Sequence, residues 1–406
     1  MRQTCSVALI LIGLLCPATA RAQGEGGGPD PARVRVRIGP LWMNPSIGVS
    51  NLGIDQNVFN DAPDRQPKED FTATVTPKTD FWLHMGRTWL TASIDEQIVW
   101  YQKYSSERSA NTRYSLGWRL PSAWVNINLG ARYTKASERP GYEIDLRARR
   151  RELAYIGAVE GRIMSKTFFG LRGERQTVDF DEAAVFRSAS LHDELNHVTT
   201  SGALTLRHQI TSLTSVEFNA TRSEDRFEFS PLRNSASTAF GTSVTFDPFA
   251  LIKGTAAFGF RNFRPESPDV PAYSGGTMAL DLTYTIFGMT RLAIRGARDV
   301  QYSYDVAQPY YVQTGVDGSV AQQIFGPFDA VLRFVEQRLA YRDRVGVPVE
   351  VANRTDEVHS IGAGVGYHLG TELRLGFNVD KVRRESEVES RPYEGLKYGT
   401  SLTYGF

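Results

Sequence analysis

Apolar and polar residues alternate one by one along most of this chain. Between residues 123 and 133, Ala123, Val125, Ile127, Leu129, Ala131 and Tyr133 share one parity, against Trp124, Asn126, Asn128, Gly130 and Arg132. Leu373, Leu375, Phe377 and Val379 oppose Glu372, Arg374, Gly376 and Asn378. Met278, Leu280, Leu282, Tyr284 and Ile286 oppose Thr277, Ala279, Asp281, Thr283 and Thr285. Successive side chains of an extended chain point to opposite faces, so a period of two predicts strands with one apolar and one polar face. The last segment is the clearest. Leu396, Tyr398, Thr400, Leu402, Tyr404 and Phe406 lie on one parity, and Gly395, Lys397, Gly399, Ser401, Thr403 and Gly405 on the other. Residues 153–163 and 330–341 are blurred, which bulges or strand ends outside a membrane would explain.

The connections between strands come in two alternating sizes. Eight tight ones fall near residues 86–88, 120–122, 164–166, 211–212, 247–248, 288–289, 326–327 and 369–370. Nine longer polar ones fall near 58–69, 104–110, 137–146, 181–194, 228–234, 264–272, 304–308, 343–354 and 386–392. Together they predict an all-β, transmembrane, antiparallel up-and-down β-barrel of about 18 strands, with 16 to 20 allowed, short periplasmic turns and longer extracellular loops. A strand that ends the chain, where free ends usually fray, makes sense as the closing strand of such a barrel. Leu402, Tyr404 and Phe406 then form its C-terminal assembly signal, similar to the terminal aromatic signature of bacterial outer-membrane proteins.

The N-terminus points to the same compartment. Arg2 precedes an apolar stretch from Val7 to Leu15, and Ala20-Arg21-Ala22 has the form of a cleavage site. Residues 1–22 are expected to be a signal peptide read by the Sec pathway, residues 23–33 a flexible periplasmic leader, and residues 34–406 an outer-membrane barrel. Both cysteines, Cys5 and Cys16, lie in the signal, so the mature chain is cysteine-free and cannot mispair in an oxidising periplasm. Removing Arg2 and Arg21 from 46 bases leaves 44 against 45 acids, a net charge of −1. That balance argues against nucleic acid as a partner. No long apolar run follows residue 22, which excludes helical spans and leaves the closed barrel as the way to satisfy every backbone group in lipid.

The search for chemistry is mostly negative. The histidines, His84, His192, His197, His208, His359 and His368, form no H-x-x-x-H pair. His192 and His197 flank Asp193 and Glu194, which reads as a solvated loop more readily than as a metal site. Ser360 and His359 are sequence neighbours whose side chains point to opposite faces. Gly362, Gly364 and Gly366 read as the small-residue face of a strand, leaving room inside the barrel. No catalytic residue, cofactor or metal is expected.

Charges opposite apolar residues are expected to line the lumen, because on the lipid side each would cost up to a few kcal/mol near mid-membrane. They are Arg113, Arg119, Arg132, Arg172, Glu174, Arg207, Glu217, Lys253, Arg261, Asp281, Arg291, Arg295, Glu372, Arg374 and Asp380. Ten bases against five acids suggest mild anion preference. Trp89, Trp100, Tyr101, Tyr104, Tyr114, Trp118, Tyr302, Tyr310 and Tyr311 cluster near strand ends and read as the interfacial girdle, with sugar stacking by inward rings as the sharper reading. No loop exceeds about fifteen residues, so no large folded-in constriction loop is expected, which favours an open lumen.

Gly39-Pro40-Leu41, Pro45-Ser46-Ile47-Gly48-Val49 and Asp55-Gln56-Asn57-Val58-Phe59, followed by Phe71-Thr72-Ala73-Thr74-Val75-Thr76-Pro77, resemble the opening strands of the "putative β-barrel porin 2" family. That resemblance implies an outer-membrane barrel associated with exopolysaccharide or capsule export, without catalytic residues. Asp55 and Asn57 read as a structured loop tip or, alternatively, as calcium ligands. The expected function is a passive outer-membrane pore serving as a conduit in polysaccharide secretion. The alternatives are a general small-solute porin and a structural or adhesive barrel with a blocked lumen. Expected partners are outer-membrane lipids and lipopolysaccharide, the barrel-assembly machinery and a periplasmic polysaccharide-export protein.

Overall fold

The computed structural model describes residues 34–247 and 250–405. The signal segment, the leader up to Arg33 and Phe406 lie outside the described residues. Eighteen antiparallel strands close into one barrel. They are β1 (Leu41–Asp55), β2 (Asp70–Met85), β3 (Thr88–Tyr101), β4 (Ser109–Leu120), β5 (Val125–Glu138), β6 (Ala148–Met164), β7 (Thr167–Phe180), β8 (His197–Thr211), β9 (Thr214–Phe227), β10 (Ser235–Phe246), β11 (Ile252–Pro265), β12 (Tyr273–Ile286), β13 (Thr290–Tyr302), β14 (Tyr310–Phe325), β15 (Phe328–Arg342), β16 (Thr355–Leu369), β17 (Leu373–Glu385) and β18 (Tyr393–Tyr404). No described helix is long and apolar enough to cross a membrane.

Every strand bonds to its sequence neighbours, and β18 bonds to both β17 and β1. Leu402 sits opposite Leu375 on one side and Val49 on the other. This pairing leaves the sheet no edge. The register shifts between Val49 and Leu52, where Asn51 takes φ +53°. Beyond the shift the seam is tight. A Cβ on Gly53 would lie 2.0 Å from the Tyr398 carbonyl oxygen, so the β1–β18 approach requires glycine there. The tight turns lie at one end of the barrel and the nine longer connections at the other, as the sequence predicts. Gly86 and Gly370 supply the positive φ that their turns need.

The two parities separate cleanly. On β18 Leu396, Tyr398, Leu402 and Tyr404 face outward, and Lys397, Gly399, Ser401 and Thr403 line the interior. Large apolar side chains stand exposed all round the outside, among them Phe240, Leu332 and Ile361 at 60% or more. A continuous apolar exterior is the signature of a lipid-facing wall. Strands of 12–17 residues exceed the ~9–11 that a tilted strand needs to span, so their extracellular ends project beyond the membrane.

The blurred stretches have a cause other than bulges. β6 runs unbroken from Ala148, with its one irregularity at Arg162/Met164, and β15 keeps its register from 330 to 341. Apolar residues interrupt the charged inner parity: Ala154 and Ile156 on β6, and Leu339 and Tyr341 on β15. Those β15 side chains are buried in the lumen, so the inner face there meets protein rather than water.

Because β18 is bonded on both sides, Leu402→Pro, which removes a ladder donor from a central strand, is expected to abolish the compact species that resists unfolding in cold detergent. Glu387→Ala in an exposed loop should leave it intact. A Leu402→Pro protein that reaches the membrane in normal amount and keeps its compact form would disprove the closing-strand assignment.

Candidate functional site

The inner wall is charged but largely neutralised. Arg113 and Arg150 both bind Glu138 (3.0 and 3.1 Å), and Arg132 and Arg172 both bind Glu174 (3.1 Å each). Arg207 forks onto Glu160 at 2.7–2.8 Å, Arg261 pairs with Asp299 at 3.0 Å, and Arg295 lies 3.7 Å from Asp281. Arg374 grips Asp329, which also takes the His368 ring nitrogen at 2.6 Å, and Arg333 grips Asp380. At least seven of the ten bases expected from the sequence thus meet a carboxylate among the described residues. Glu138, Glu160, Asp299 and Asp329 are acids the sequence reading missed, although strand parity could have found them. With them in place the basis for an anion preference disappears. Glu217 faces Arg207 across β8–β9, and Lys253, Arg291 and Asp380 border the central cavity. Arg119 lies opposite Trp89 on the inner parity of β4. Glu372 departs from expectation. It lies exposed in the β16–β17 turn, where its carbonyl accepts from the Gly405 amide, because β17 begins only at Leu373.

Gly362, Gly364 and Gly366 do face inward, but the room they leave is taken. Asp380, Asn378 and Arg374 lie over them, and a Cβ at any of the three would meet those side chains at 1.9–2.3 Å. Beside this wall a cavity of about 1220 Å³ runs from Gly288, Gln322 and Thr403 at the periplasmic turns up to Tyr142 and Asp145 in loop 139–147.

That loop closes the extracellular end. It leaves β5 and crosses to the strands half-way round the barrel, where Tyr142 packs on Tyr311 of β14 and Leu339 and Tyr341 of β15. Glu143 is almost wholly buried. It accepts from the Ser303 hydroxyl (2.6 Å) and the Tyr304 amide, and its carbonyl accepts from Arg391 (2.5 Å). Asp145 takes Arg384 at 2.7 Å, and Arg139 donates to the Val58 carbonyl. The short helix α1 (Leu191–Leu195) adds Leu191 and Leu195 to a core with Ile144 and Tyr304, and Glu194 binds Arg233. No large loop folds in, but this short one does, so the open lumen expected from short loops is closed at its extracellular end. Nine residues suffice because the opposite wall leans in. The β12–β13 ladder stops at Met278–Arg298, although β12 continues to Tyr273 and β13 to Tyr302. The freed top of the β13–β14 hairpin packs inside, with Tyr302 against Phe227 at 4.6 Å and its hydroxyl donating to Asp225 at 2.8 Å.

The aromatics divide the same way. Trp100, Tyr114 and Trp118 lie on the outward parity, as a girdle would. Tyr101, Tyr302, Tyr310 and Tyr311 are lumen fill, and Tyr104 packs on Phe59 in the loops. Trp89 is also inside, 8% exposed, against Trp42 at 5.4 Å and under the His84 ring at 4.3 Å. Trp42 faces Trp82 in register, so three tryptophans line the periplasmic mouth on β1–β3. Asp55 and Asn57 build a loop tip. Asp55 binds Lys397 at 2.9 Å, and the Asn57 amide donates to the Asp61 and Glu394 carbonyls. His192 contacts Asp193 and stacks on Phe229, and His197 meets the Leu195 carbonyl and stacks on Phe227. Among the described residues no group of three His, Cys, Asp or Glu could hold a metal.

A family model described as "Putative beta-barrel porin 2" matches residues 30–406. No curated protein matches the sequence. Similar solved structures include OccK9 (OpdG) of Pseudomonas aeruginosa, at 11% identity and TM-score 0.45, covering 89% of this chain and 97% of that one. They also include a bacterial polysaccharide outer membrane secretin, at 9% identity and TM-score 0.34, covering 91% and 100%. The FrpB iron transporter from Neisseria meningitidis aligns at 9% identity and TM-score 0.43, covering 89% and 67%.

Burial holds the Glu143 carboxyl above the ordinary glutamate value of 4.5, against the opposing pull of Ser303, Arg391 and Arg354. A displaced loop would return it to water and to that ordinary value. The closed form therefore keeps a proton that the open form has lost, and rising pH through this range favours opening. Current through the reconstituted barrel is expected to rise as pH is raised from about 4, and Glu143→Gln should flatten that dependence. An unchanged pH profile in the variant would exclude Glu143 as its source.

Proposed function

The chain belongs to the putative β-barrel porin 2 family, and on that footing we propose that this porin-like outer-membrane barrel is a conduit for polysaccharide, entered from the periplasm and held shut at the cell surface by its own loops. The cavity beneath loop 139–147 carries the reading. At about 1220 Å³ it exceeds the ~300–1,000 Å³ of ordinary small-ligand pockets. Its lining is rich in hydroxyl and amide groups, among them Ser50, Asn51, Thr74, Gln97, Ser360, Asn378 and Ser401. Such groups exchange hydrogen bonds with a hydroxylated chain without demanding charge. The paired arginines and carboxylates leave no large single-sign field, which suits such a chain better than a selected ion. Tryptophans at the periplasmic mouth offer apolar faces of the kind on which sugar rings pack.

The buried contacts around Glu143 favour a second reading, a structural barrel whose loops never part. Buried ion pairs are costly to break one partner at a time, at about 3–5 kcal/mol. The two readings diverge in planar bilayers. For a gated conduit, wild-type protein should be nearly silent, replacement of residues 140–146 by a Gly-Ser linker should give steady current, and purified polysaccharide added on the periplasmic side should block it. Reversal potentials of the open variant under a salt gradient should lie close to zero. A linker variant that stays folded but silent would favour the structural barrel. Current without polysaccharide block would favour a small-solute porin, and strong selectivity for one ion sign would contradict the neutralised wall.

A further inference from the structure

Four basic side chains stand on the outer face of β5, β6 and β7 outside any ion pair. Lys135, Arg149, Arg151 and Arg175 are all exposed. None makes an ion pair or side-chain hydrogen bond with another described residue. The register groups them along one face: Lys135 lies directly opposite Arg151, Arg149 is two residues further out, and Arg175 is opposite Tyr155, four residues below Arg151. Like charges directly opposite each other on a sheet face are destabilising. The flanks carry one carboxylate each. Asp179 is opposite Arg151, and Glu96, opposite Thr112 in the row beyond Lys135, is held by the Thr112 and Tyr114 hydroxyls. Between those flanks the patch is strongly positive.

Its height on the barrel identifies what neutralises it. Below Arg151 the outward residues of β6 are Leu153, Tyr155, Gly157, Val159, Gly161 and Ile163. Below Lys135 on β5 they are Tyr133, Ala131, Leu129, Ile127 and Val125. Eleven residues at ~3.3 Å rise, tilted by ~40°, cover about the 25 Å of a barrel's lipid band. Tyr133 and Tyr155 mark its upper rim, as interfacial aromatics do. Lys135, Arg151 and Arg149 stand above that rim, at the level of the headgroups of the outer leaflet, and Arg175 lies at the rim itself, level with Tyr155.

We propose that Lys135, Arg149, Arg151 and Arg175 form a recognition site for the phosphates of an anionic glycolipid headgroup in the outer leaflet. Guanidinium forks match phosphate oxygens two at a time, and the ammonium of Lys135 adds a point charge beside them. Binding would turn the repulsion between Lys135 and Arg151 into shared attraction to one anion, with the acyl chains lying along the Leu153–Val159 face below. The site is independent of the lumen and of what passes through it.

The test uses the full-length barrel in a neutral detergent, titrated with bis-phosphorylated lipid A, with the same lipid stripped of its phosphates, and with inorganic phosphate, followed by native mass spectrometry. The phosphorylated lipid should bind in preference to the stripped lipid. That preference should fall by about fivefold for each cation replaced by glutamine and vanish when all four are replaced. Arg338→Gln, on the outer face of β15 near Glu357, should leave it unchanged. Heat-modifiable migration checks that each variant is folded. Equal binding of both lipids would overturn the proposal, as would full retention of the preference in the folded quadruple variant. Displacement of the lipid by equimolar inorganic phosphate would also overturn it, by showing a free-anion site rather than a headgroup site.

Discussion

A polypeptide in hydrocarbon must satisfy each amide and carbonyl from within its own chain, and everything else in this barrel follows from how β18 meets β1. Once that seam closes, the sheet has no edge, and each strand separates two environments by side-chain parity alone. The seam is exacting. It carries a register shift at Asn51 and a contact at Gly53 too close for any side chain. A slip of β18 by one residue would turn Lys397 toward lipid, away from Asp55, and Tyr398 and Leu402 toward the lumen.

Inside, the barrel solves a second problem, which is how to hold many charges where water is scarce. It does so by pairing across neighbouring strands, as Arg207 does with Glu160 and Arg374 with Asp329. At the extracellular end the same strategy locks loops to walls. Asp145 of loop 139–147 pairs with Arg384 of β17, and the Glu143 carbonyl beside it accepts from Arg391, over a base of Tyr311, Leu339 and Tyr341. The lumen is thus graded: a tryptophan-lined entrance, a polar chamber, then a closure of buried ion pairs and tyrosines.

The architecture was legible in the sequence because lipid enforces the period of two more strictly than any water-facing sheet does. Strand number, turn positions and the inward parity of Arg113, Arg132 or Asp380 all follow from it. Parity also held the four missed acids, Glu138, Glu160, Asp299 and Asp329. They were passed over because their apolar strand neighbours are fewer near the strand ends. The closure was not legible. Whether nine polar residues stand out in water or cross a lumen depends on how far the opposite wall leans in, and that depends on where the β12–β13 ladder ends. Alternation does carry a faint trace of it. In the two stretches where the pattern blurs, on β6 and β15, apolar side chains interrupt the inward charges, and on β15 Leu339 and Tyr341 do so because the lumen there is filled by protein. Trp89 was misplaced for a related reason: an aromatic near a strand end looks the same from sequence whether it faces lipid or lumen.

The three inward glycines of β16 bear on the size of anything that could pass. Arg374, Asn378 and Asp380 do not project into the lumen there; they lie flat, each filling the space where a methyl group would otherwise stand. Along this stretch the wall is one side chain thinner than elsewhere, and its calibre is set by atoms that are missing. A single added carbon at Gly362, Gly364 or Gly366 would lift a charged or amide side chain off the wall and narrow the passage from a position that touches no solute. Bore and electrostatics are therefore not independent quantities in this barrel, since the same residues that neutralise one another also define how wide the chamber is.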